Sequence, residues 1–300
     1  MKIKAFLPAV VIAVAIIGLL VIFLPKMQLG SKEGALISGA RALDKEGRSE
    51  EAIKELEKVI AAYPDSKKSG DALISLAALY EKQGKLSEAR DSYRKAYESY
   101  PDPGIVNTAK PKAEELSMKI LFSPIVDSDS KEYTVQAGDT LVKIARVFGT
   151  TVDLIRKSNN LTGDNIRQGQ RLKVVTSRFS VVVDKSQNIL MLKQNDNVMK
   201  TYKVATGLNN CTPVGTFKIT TKLVDPVWYK TGAAVPPGSP ENILGTRWMG
   251  ISKEGYGIHG TTDPSSLGKQ VTAGCVRMLN SEVEELYGIL PEGTEVTIVD

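Results

Sequence analysis

The chain has 300 residues, of which 42% are hydrophobic, and a formal net charge of +5 at pH 7; this is enough for two or three modest domains, each with its own core. One histidine and two widely separated cysteines do not supply the three or four ligands of a zinc site, and we expect neither a metal nor another cofactor. The sequence has no nucleic-acid-binding motif and no basic stretch interleaved with aromatic residues, so no nucleic-acid partner is expected.

The amino terminus contains an apolar run from Ala5 to Leu24, preceded by Lys2 and Lys4. About twenty helical residues span the roughly 30 Å of a bilayer's hydrocarbon, whereas the apolar part of a cleaved secretory signal usually has about 7 to 15 residues. A cleaved signal is the alternative, but we interpret residues 1–26 as an uncleaved transmembrane signal-anchor. Lysines that flank a span tend to stay cytoplasmic, so the rest of the chain is expected to be membrane-anchored and extracytoplasmic, in the periplasm or cell wall.

Residues 31–121 contain an internal repeat, in which two segments carry a glycine, an alanine and a proline at the same spacing. The matched pairs are Gly47 with Gly84, Ala52 with Ala89, and Pro64 with Pro101. The pattern resembles two α-helical tetratricopeptide repeats, each a helix-turn-helix hairpin. Two repeats are fewer than the three or so that a stable stack needs, so we expect a packing helix over residues 110–121, or another chain, to complete it. The repeats serve either as a surface for a protein partner or as a spacer, and the sequence favours neither.

Residues 122–131 contain Pro124 and alternating aspartate and serine, and are predicted to form a flexible linker. The next segment, residues 132–176, carries three motifs in order. They are Tyr133-Thr134-Val135-Gln136-Ala137-Gly138-Asp139-Thr140-Leu141, Asn159-Asn160-Leu161 and Gly169-Gln170-Arg171-Leu172. This segment resembles a LysM module, a small α+β fold of a strand, two short helices and a closing strand. The resemblance implies that it binds peptidoglycan through glycan containing N-acetylglucosamine.

From residue 178 to residue 300 the pattern changes to short strands separated by turn residues. The apolar stretches Phe179–Val183 and Ile189–Leu192 flank a polar connector suited to a hairpin. Many short strands favour a mainly-β sandwich or barrel. One helix is predicted over Ser281–Leu290, with Ser281 as its N-cap and Glu284 at the third helical position.

His259 is the only histidine of the chain, and it precedes Cys275 by a short stretch of sequence. The thiolate is the nucleophilic form of cysteine, and a neighbouring imidazole is the usual means of producing it. The two residues lie in the motifs Gly257-Ile258-His259-Gly260-Thr261 and Thr272-Ala273-Gly274-Cys275-Val276-Arg277-Met278. These motifs resemble the signature of the L,D-transpeptidases, the YkuD-like catalytic domain. Further landmarks of that family precede them at Thr206-Gly207, Thr212–Phe217, Pro236–Pro240 and Gly245–Trp248.

The resemblance implies that Cys275 is the nucleophile, that His259 is its base, and that the backbone carbonyl of Gly260 orients the imidazole. An imidazole whose other N–H donates to a fixed acceptor is held in the tautomer that accepts the thiol proton. Gly274 and Thr272 are expected to support the nucleophile loop, in which the N–H groups around Gly274 and Cys275 hold a tetrahedral oxyanion.

Arg277 and Trp248 are the predicted substrate-binding residues. Arg277 shares a strand face with the thiol if the segment is extended, and there it binds a substrate carboxylate or, alternatively, forms a structural ion pair that braces the loop. Cys211 is interpreted as a free thiol, because pairing it with Cys275 would consume the nucleophile.

The activity implied is that of a cysteine L,D-transpeptidase, an acyltransferase of peptidoglycan biosynthesis, cell-wall organisation and cell shape. Cys275 forms a thioester with a tetrapeptide stem and releases D-alanine, and an amine from a second stem then gives a 3→3 cross-link. With water as the acceptor, the enzyme is an L,D-carboxypeptidase. A non-catalytic wall-binding scaffold is the other alternative, because Ala273 stands where many relatives have a histidine.

Overall fold

The computed structural model describes residues 32–230 and 232–300. The chain divides into two compact units, Met1–Ala113 and Glu114–Asp300. The predicted signal-anchor, residues 1–26, lies outside the described residues. Within the described ranges, no helix is both long enough and apolar enough to cross a bilayer.

The first unit is helical and contains the predicted repeat. Its helices are α1 (32–45), α2 (Ser49–Ala62), α3 (Lys67–Lys82), α4 (Leu86–Ser99) and the first part of α5 (Pro103–Leu121). Gly47 and Gly84 both adopt a left-handed backbone, with φ of 81° and 74°, in the turns that precede α2 and α4. Pro64 and Pro101 directly follow the C-cap residues of these two helices. The prediction of two helix-turn-helix hairpins is therefore confirmed.

The equivalent alanines of the repeat explain how closely the helices pack. Ala52 and Ala89 are completely buried, and a side chain of this size lets a neighbouring helix approach closely. Residues 110–121 are helical, as the C-terminal part of α5, and Met118 and Leu121 of this part belong to the hydrophobic core of the second unit. That this helix completes the repeat stack stays a prediction.

The LysM-like segment has the predicted order of strand, two helices and strand. Its elements are β1 (Ser130–Thr134), α6 (Leu141–Phe148), α7 (Val152–Ser158) and β2 (Arg171–Val175), with β1 and β2 antiparallel. The side chains of Thr140 and Thr151 cap the two helices by accepting hydrogen bonds from backbone N–H groups. A small core of its own contains Leu141, Ile144 and Ile155.

The segment predicted to be a flexible linker, residues 122–131, is hydrogen-bonded instead. Its last two residues already belong to β1. The ammonium group of Lys173, on β2, is buried and donates hydrogen bonds to the carbonyls of Ile120 (2.6 Å) and Ser123 (3.1 Å). Asp129 accepts a hydrogen bond from the side chain of Asn195 at 2.9 Å. Polar composition alone did not reveal these partners, because they lie far away in sequence.

The remainder of the second unit is built mainly from β-strands. The strands are β3 (Phe179–Asp184), β4 (Ile189–Gln194), β5 (Asn197–Lys203), β6 (Thr206–Gly207), β7 (Gly215–Val224), β8 (Trp228–Lys230), β9 (Ala233–Val235), β10 (Arg247–Ile251), β11 (Gly257–His259), β12 (Gln270–Thr272), β13 (Val276–Arg277) and β14 (Glu295–Val299). Eight of them form one mixed sheet with the strand order β13-β11-β10-β7-β14-β3-β4-β5, and β6 pairs with β12 and β8 with β9 in two small sheets. The mainly-β prediction is confirmed.

The sheet curls until its two ends meet beside Cys275. Ala205 follows β5, at one end of the strand order, and pairs with Arg277 of β13, at the other end. Two backbone hydrogen bonds of 2.8 and 2.9 Å join these residues. The segment after Ala205 is thereby placed next to the loop that carries the nucleophile.

One helix, α8 (Asn280–Ile289), packs against this sheet. It begins one residue earlier than predicted, its N-cap is Leu279 rather than Ser281, and no side chain caps it. The predicted N-cap role of Ser281 is therefore wrong. Position 279 already has the extended backbone of an N-cap, so residue 281 lies inside the first turn.

The LysM segment and the sheet share one hydrophobic core. Leu154 of α7 and Val175 of β2 belong to the same buried cluster as the sheet residues and α8. Thr151 also donates a hydrogen bond from its hydroxyl to the carbonyl of Gly288, near the end of α8. The LysM segment is therefore packed firmly against the sheet-bearing domain.

Candidate active site

Parallel pairing of β11 with β13 brings the histidine and cysteine segments together. His259 is the last residue of β11 and pairs with Arg277 of β13. The N–H of Met278 donates to the carbonyl of His259 at 3.0 Å, which extends the contact. Cys275 directly precedes β13, so the two predicted catalytic residues lie on adjoining segments of the sheet.

His259 is a buried, neutral imidazole with a fixed orientation. The ring is 2% exposed, and its Nδ1 lies 2.7 Å from the carbonyl oxygen of Gly260. Since a carbonyl can only accept, Nδ1 carries the proton and Nε2 retains the lone pair. Burial lowers the pKa of His259 to about 4. The carbonyls of Gly260 and Leu244 oppose this decrease, whereas the positive charge of Arg277 contributes to it. At neutral pH the imidazole can therefore accept a proton.

Cys275 is a partly buried free thiol. Burial raises its pKa above the usual range, while a backbone hydrogen bond from Gly257 and the charge of Arg277 oppose the increase. Its sulfur donates to the carbonyl of Gly255 at 3.7 Å. The resemblance implied a thiol paired with His259, but here the S–H is directed to Gly255. Proton transfer to the imidazole requires the sulfur to leave that contact.

The nucleophile loop is held by the hydroxyl of Thr272, as the sequence predicted in outline. That hydroxyl donates to the carbonyl of Cys275 at 2.7 Å and accepts from the N–H of Gly274 at 3.1 Å. The N–H of Gly274 is therefore occupied, whereas no described residue accepts a hydrogen bond from the N–H of Cys275. Of the two donors proposed for an oxyanion, the one on Cys275 is available in this structure.

Gly274 is required by the shape of this loop. Its φ is 123°, a value that residues with a side chain rarely adopt, and a Cβ there would lie 2.6 Å from Cε1 of Tyr256. Glycine therefore allows Tyr256 to pack against the backbone beside the nucleophile.

Arg277 forms no ion pair with a described residue, although its charge contributes to the lowered pKa of Asp263, whose main cause is a hydrogen bond from the side chain of Ser265. The Nε of Arg277 is buried and has no hydrogen-bond partner among the described residues. Its positive charge acts on both His259 and Cys275. A buried donor without an acceptor costs about 1 to 3 kcal/mol, which an incoming anionic group would recover.

Trp248 contacts the imidazole directly, a contact that the sequence did not predict. It pairs with His259 across β10 and β11, and the two rings stack with centroids 5.8 Å apart and an interplanar angle of 22°. Gly250 and Gly257 leave room for the indole, since a Cβ on them would lie 3.0 and 2.7 Å from it. Its predicted contact with substrate stays a prediction.

Lys185 is a residue near the site that sequence reasoning missed. Its buried ammonium group donates to the carbonyls of Asn210 (3.3 Å) and Thr212 (3.0 Å) and forms an ion pair with Asp300 (3.2 Å). It thereby holds the segment that contains Cys211, a free thiol whose sulfur lies 4.0 Å from the carbonyl of Thr272. No local sequence signal marks such a buried lysine, because its partners come from distant segments.

No group of three or more His, Cys, Asp or Glu side chains in the described ranges is arranged to hold a metal ion. The candidate active site presents an oriented neutral imidazole, a thiol, a free backbone N–H and a guanidinium nitrogen without a hydrogen-bond partner among the described residues.

Comparison with known proteins identifies the three segments. The profile of the L,D-transpeptidase catalytic domain (YkuD) matches residues 178–298, that of the LysM domain residues 133–175, and that of the tetratricopeptide repeat residues 38–102. The chain is 36% identical over 174 residues to "Putative L,D-transpeptidase YkuD" of Bacillus licheniformis, covering 55% of this chain and 97% of that protein. It is 42% identical over 126 residues to "Putative L,D-transpeptidase YqjB" of Bacillus subtilis, covering 40% of this chain and 70% of that protein.

Among solved structures, an L,D-transpeptidase from Mycobacterium smegmatis matches 44% of this chain and 64% of its own, with a TM-score of 0.36 and 18% identity. The sequence matches, above all the near-complete coverage of the Bacillus licheniformis protein, are decisive. This chain belongs to the L,D-transpeptidase family, and it carries a LysM domain and tetratricopeptide repeats ahead of its YkuD catalytic domain.

Proposed function

We propose that the chain is an active cysteine L,D-transpeptidase that joins peptidoglycan stem peptides through a thioester on Cys275. The observation that carries this proposal is the neutral imidazole of His259, oriented by Gly260 on the strand adjoining the nucleophile. Its Nε2 is free to accept the thiol proton. Because burial disfavours both the thiolate and the imidazolium, proton transfer accompanies the formation of the carbon–sulfur bond.

In the first half of the reaction, the sulfur of Cys275 attacks the carbonyl carbon of the third residue of a tetrapeptide stem, and His259 takes the thiol proton. The N–H of Cys275 donates to the developing oxyanion. Collapse of the tetrahedral species breaks the C–N bond, and the imidazolium gives its proton to the departing D-alanine. A buried imidazolium with a low pKa is a strong acid, which favours this step.

In the second half, the amine of another stem attacks the thioester carbonyl, and His259 accepts the proton of the amine. The C–S bond then breaks, and the imidazolium of His259 returns this proton to the departing sulfur. The product is a 3→3 cross-link. Arg277 binds a carboxylate of the stem, because its buried Nε is a donor without an acceptor. The LysM domain binds glycan containing N-acetylglucosamine and so raises the local concentration of stems at the thiol.

Intact-mass measurement with a carbapenem tests the thioester chemistry. The wild-type protein should gain one covalent adduct, and Cys275→Ala should gain none, with Cys211→Ala as the matched control that retains the adduct. A wild-type protein without an adduct would exclude an active enzyme and favour a wall-binding scaffold.

Incubation with a disaccharide-tetrapeptide, followed by mass spectrometry, identifies the acceptor. A cross-linked dimer supports the transpeptidase, whereas a tripeptide as the sole product would identify an L,D-carboxypeptidase. For glycan binding, the Cys275→Ala protein should bind purified sacculi, and soluble N-acetylglucosamine oligomers should compete; binding that the oligomers leave unchanged would refute the role given to LysM.

The location and the repeats form a separate part of the proposal. The apolar run in residues 1–26 supports an extracytoplasmic protein anchored in the membrane, and the repeats offer a surface for a protein partner. Extraction of membranes at alkaline pH should leave the full chain in the membrane fraction; its release would contradict anchoring.

A further inference from the structure

Asn280, the first residue of α8, lies where two backbone segments of the active site meet. Its side-chain oxygen Oδ1 accepts hydrogen bonds from the N–H of Thr261 at 3.0 Å and from the N–H of Thr246 at 3.2 Å. One oxygen therefore ties together two segments that belong to different strand connections.

Each of these segments presents a backbone carbonyl to the imidazole of His259. Thr261 directly follows Gly260, whose carbonyl accepts from Nδ1 at 2.7 Å. Thr246 lies two residues after Leu244, whose carbonyl opposes the lowering of the His259 pKa by burial. A shift of the Thr261 segment would displace the acceptor that orients the imidazole.

The glycines of the two segments leave the space that the carboxamide of Asn280 occupies. A Cβ on Gly260 or on Gly245 would overlap with Oδ1 of Asn280. Gly245 also has a left-handed backbone, with φ of 64°. The backbone around the imidazole is thus shaped to let this oxygen reach both N–H groups.

Asn280 also lies at the end of the contacts that join the histidine segment to the nucleophile segment. Arg277 pairs with His259, the N–H of Met278 donates to the carbonyl of His259, and the hydrogen bond from Thr261 to Asn280 comes next. The position of the imidazole relative to Cys275 depends on these successive contacts.

We propose that Asn280 is a positioning residue of the transpeptidase: by holding Thr246 and Thr261 with one oxygen, it keeps the carbonyl of Gly260 on Nδ1 of His259 and so selects the tautomer that accepts the thiol proton. Asn280 does not touch the reacting atoms. The inference rests on the proposed function, because it gives Asn280 a part in activating Cys275.

The test variant is Asn280→Ala. It is compared with Asn280→Asp, which retains an oxygen that can accept both hydrogen bonds. Ser281→Ala is a neighbouring control on the same helix. Two readouts are the rate of carbapenem acylation and the ¹⁵N chemical shifts of the ring, which report the tautomer without ambiguity because the chain has one histidine. Asn280→Ala should slow acylation about 10- to 100-fold and give a mixture of tautomers. Asn280→Asp should stay within about 3-fold of wild type, and Ser281→Ala should be unchanged.

Acylation of Asn280→Ala at the wild-type rate, or slow acylation with unchanged ring shifts, would overturn the proposal. If Asn280→Ala does not fold, Asn280→Asp still decides, because a folded aspartate variant as slow as His259→Gln would show that the acceptor oxygen is not what matters. If the wild-type protein is not acylated at all, the proposed function fails, and the ring shifts still test whether Asn280 positions the imidazole.

Discussion

Protonation of His259 should destabilise the folded catalytic domain. Its imidazole is 2% exposed, and burial lowers its pKa from 6.5 to about 4. Between these two pH values the unfolded chain binds more protons than the folded chain. The contribution of this group to stability is therefore fully present above pH 6.5 and is lost as the pH falls to 4.

The size of the effect follows from the shift. A difference of about 2.5 pKa units corresponds to about 3.4 kcal/mol at 1.36 kcal/mol per unit, and the part lost between pH 7 and pH 5 is about 2 kcal/mol. His259→Gln has no group that titrates there. The free energy of unfolding of wild type relative to this variant should therefore fall by about 2 kcal/mol over this range. Carboxylates titrate in both proteins and cancel in the comparison.

Urea unfolding followed by tryptophan fluorescence measures this difference, because both tryptophans, Trp228 and Trp248, lie in the catalytic domain. The single histidine also gives one imidazole signal in NMR, so its pKa can be read directly. A midpoint near pH 6.5, or a stability difference that does not change between pH 7 and pH 5, would refute the reasoning that burial keeps the imidazole neutral.

Substitutions and chemical labelling at Cys275, Gly274 and Trp248 test other parts of the active site. Because burial raises the pKa of Cys275, alkylation by iodoacetamide in a Cys211→Ala background should keep accelerating as the pH rises past about 8.5, the ordinary pKa of a cysteine thiol; a plateau below that pH, measured by intact mass, would contradict this. Gly274→Ala places a Cβ against Tyr256 at a positive φ and should cost about 1 to 3 kcal/mol in urea unfolding; unchanged stability would show that the loop adapts freely. Trp248→Ala should raise the imidazole pKa toward its ordinary value by admitting water, whereas Trp248→Phe should retain most of the stack; NMR titration giving the same pKa for both variants would argue against shielding by the indole.

Features that depend on neighbouring residues in the sequence could be predicted. The contact between His259 and the carbonyl of Gly260 joins consecutive residues, and the hydroxyl of Thr272 reaches only as far as Cys275. The repeat glycines in the first unit likewise mark local turns. In each case a short motif contains both partners of the interaction.

Features that depend on distant segments could not be predicted. Asn280 meets Thr246 only because α8 packs beside β10, and Lys185 finds Asp300 because β3 and β14 pair in parallel. The occupied N–H of Gly274 was missed for a different reason: the motif contains the hydroxyl that occupies it, but the turn conformation is not readable from residue types.

The common core of the LysM and catalytic domains has a consequence for exchanging modules between proteins. Leu154 and Val175 are buried against the catalytic sheet, and Thr151 is bonded to the end of α8. A foreign glycan-binding module grafted in this place would leave unfilled apolar volume unless it supplied matching side chains. On the proposed binding of glycan by the LysM domain, the packing of the two domains, and not the length of a connecting chain, determines how far a bound glycan lies from the thiol.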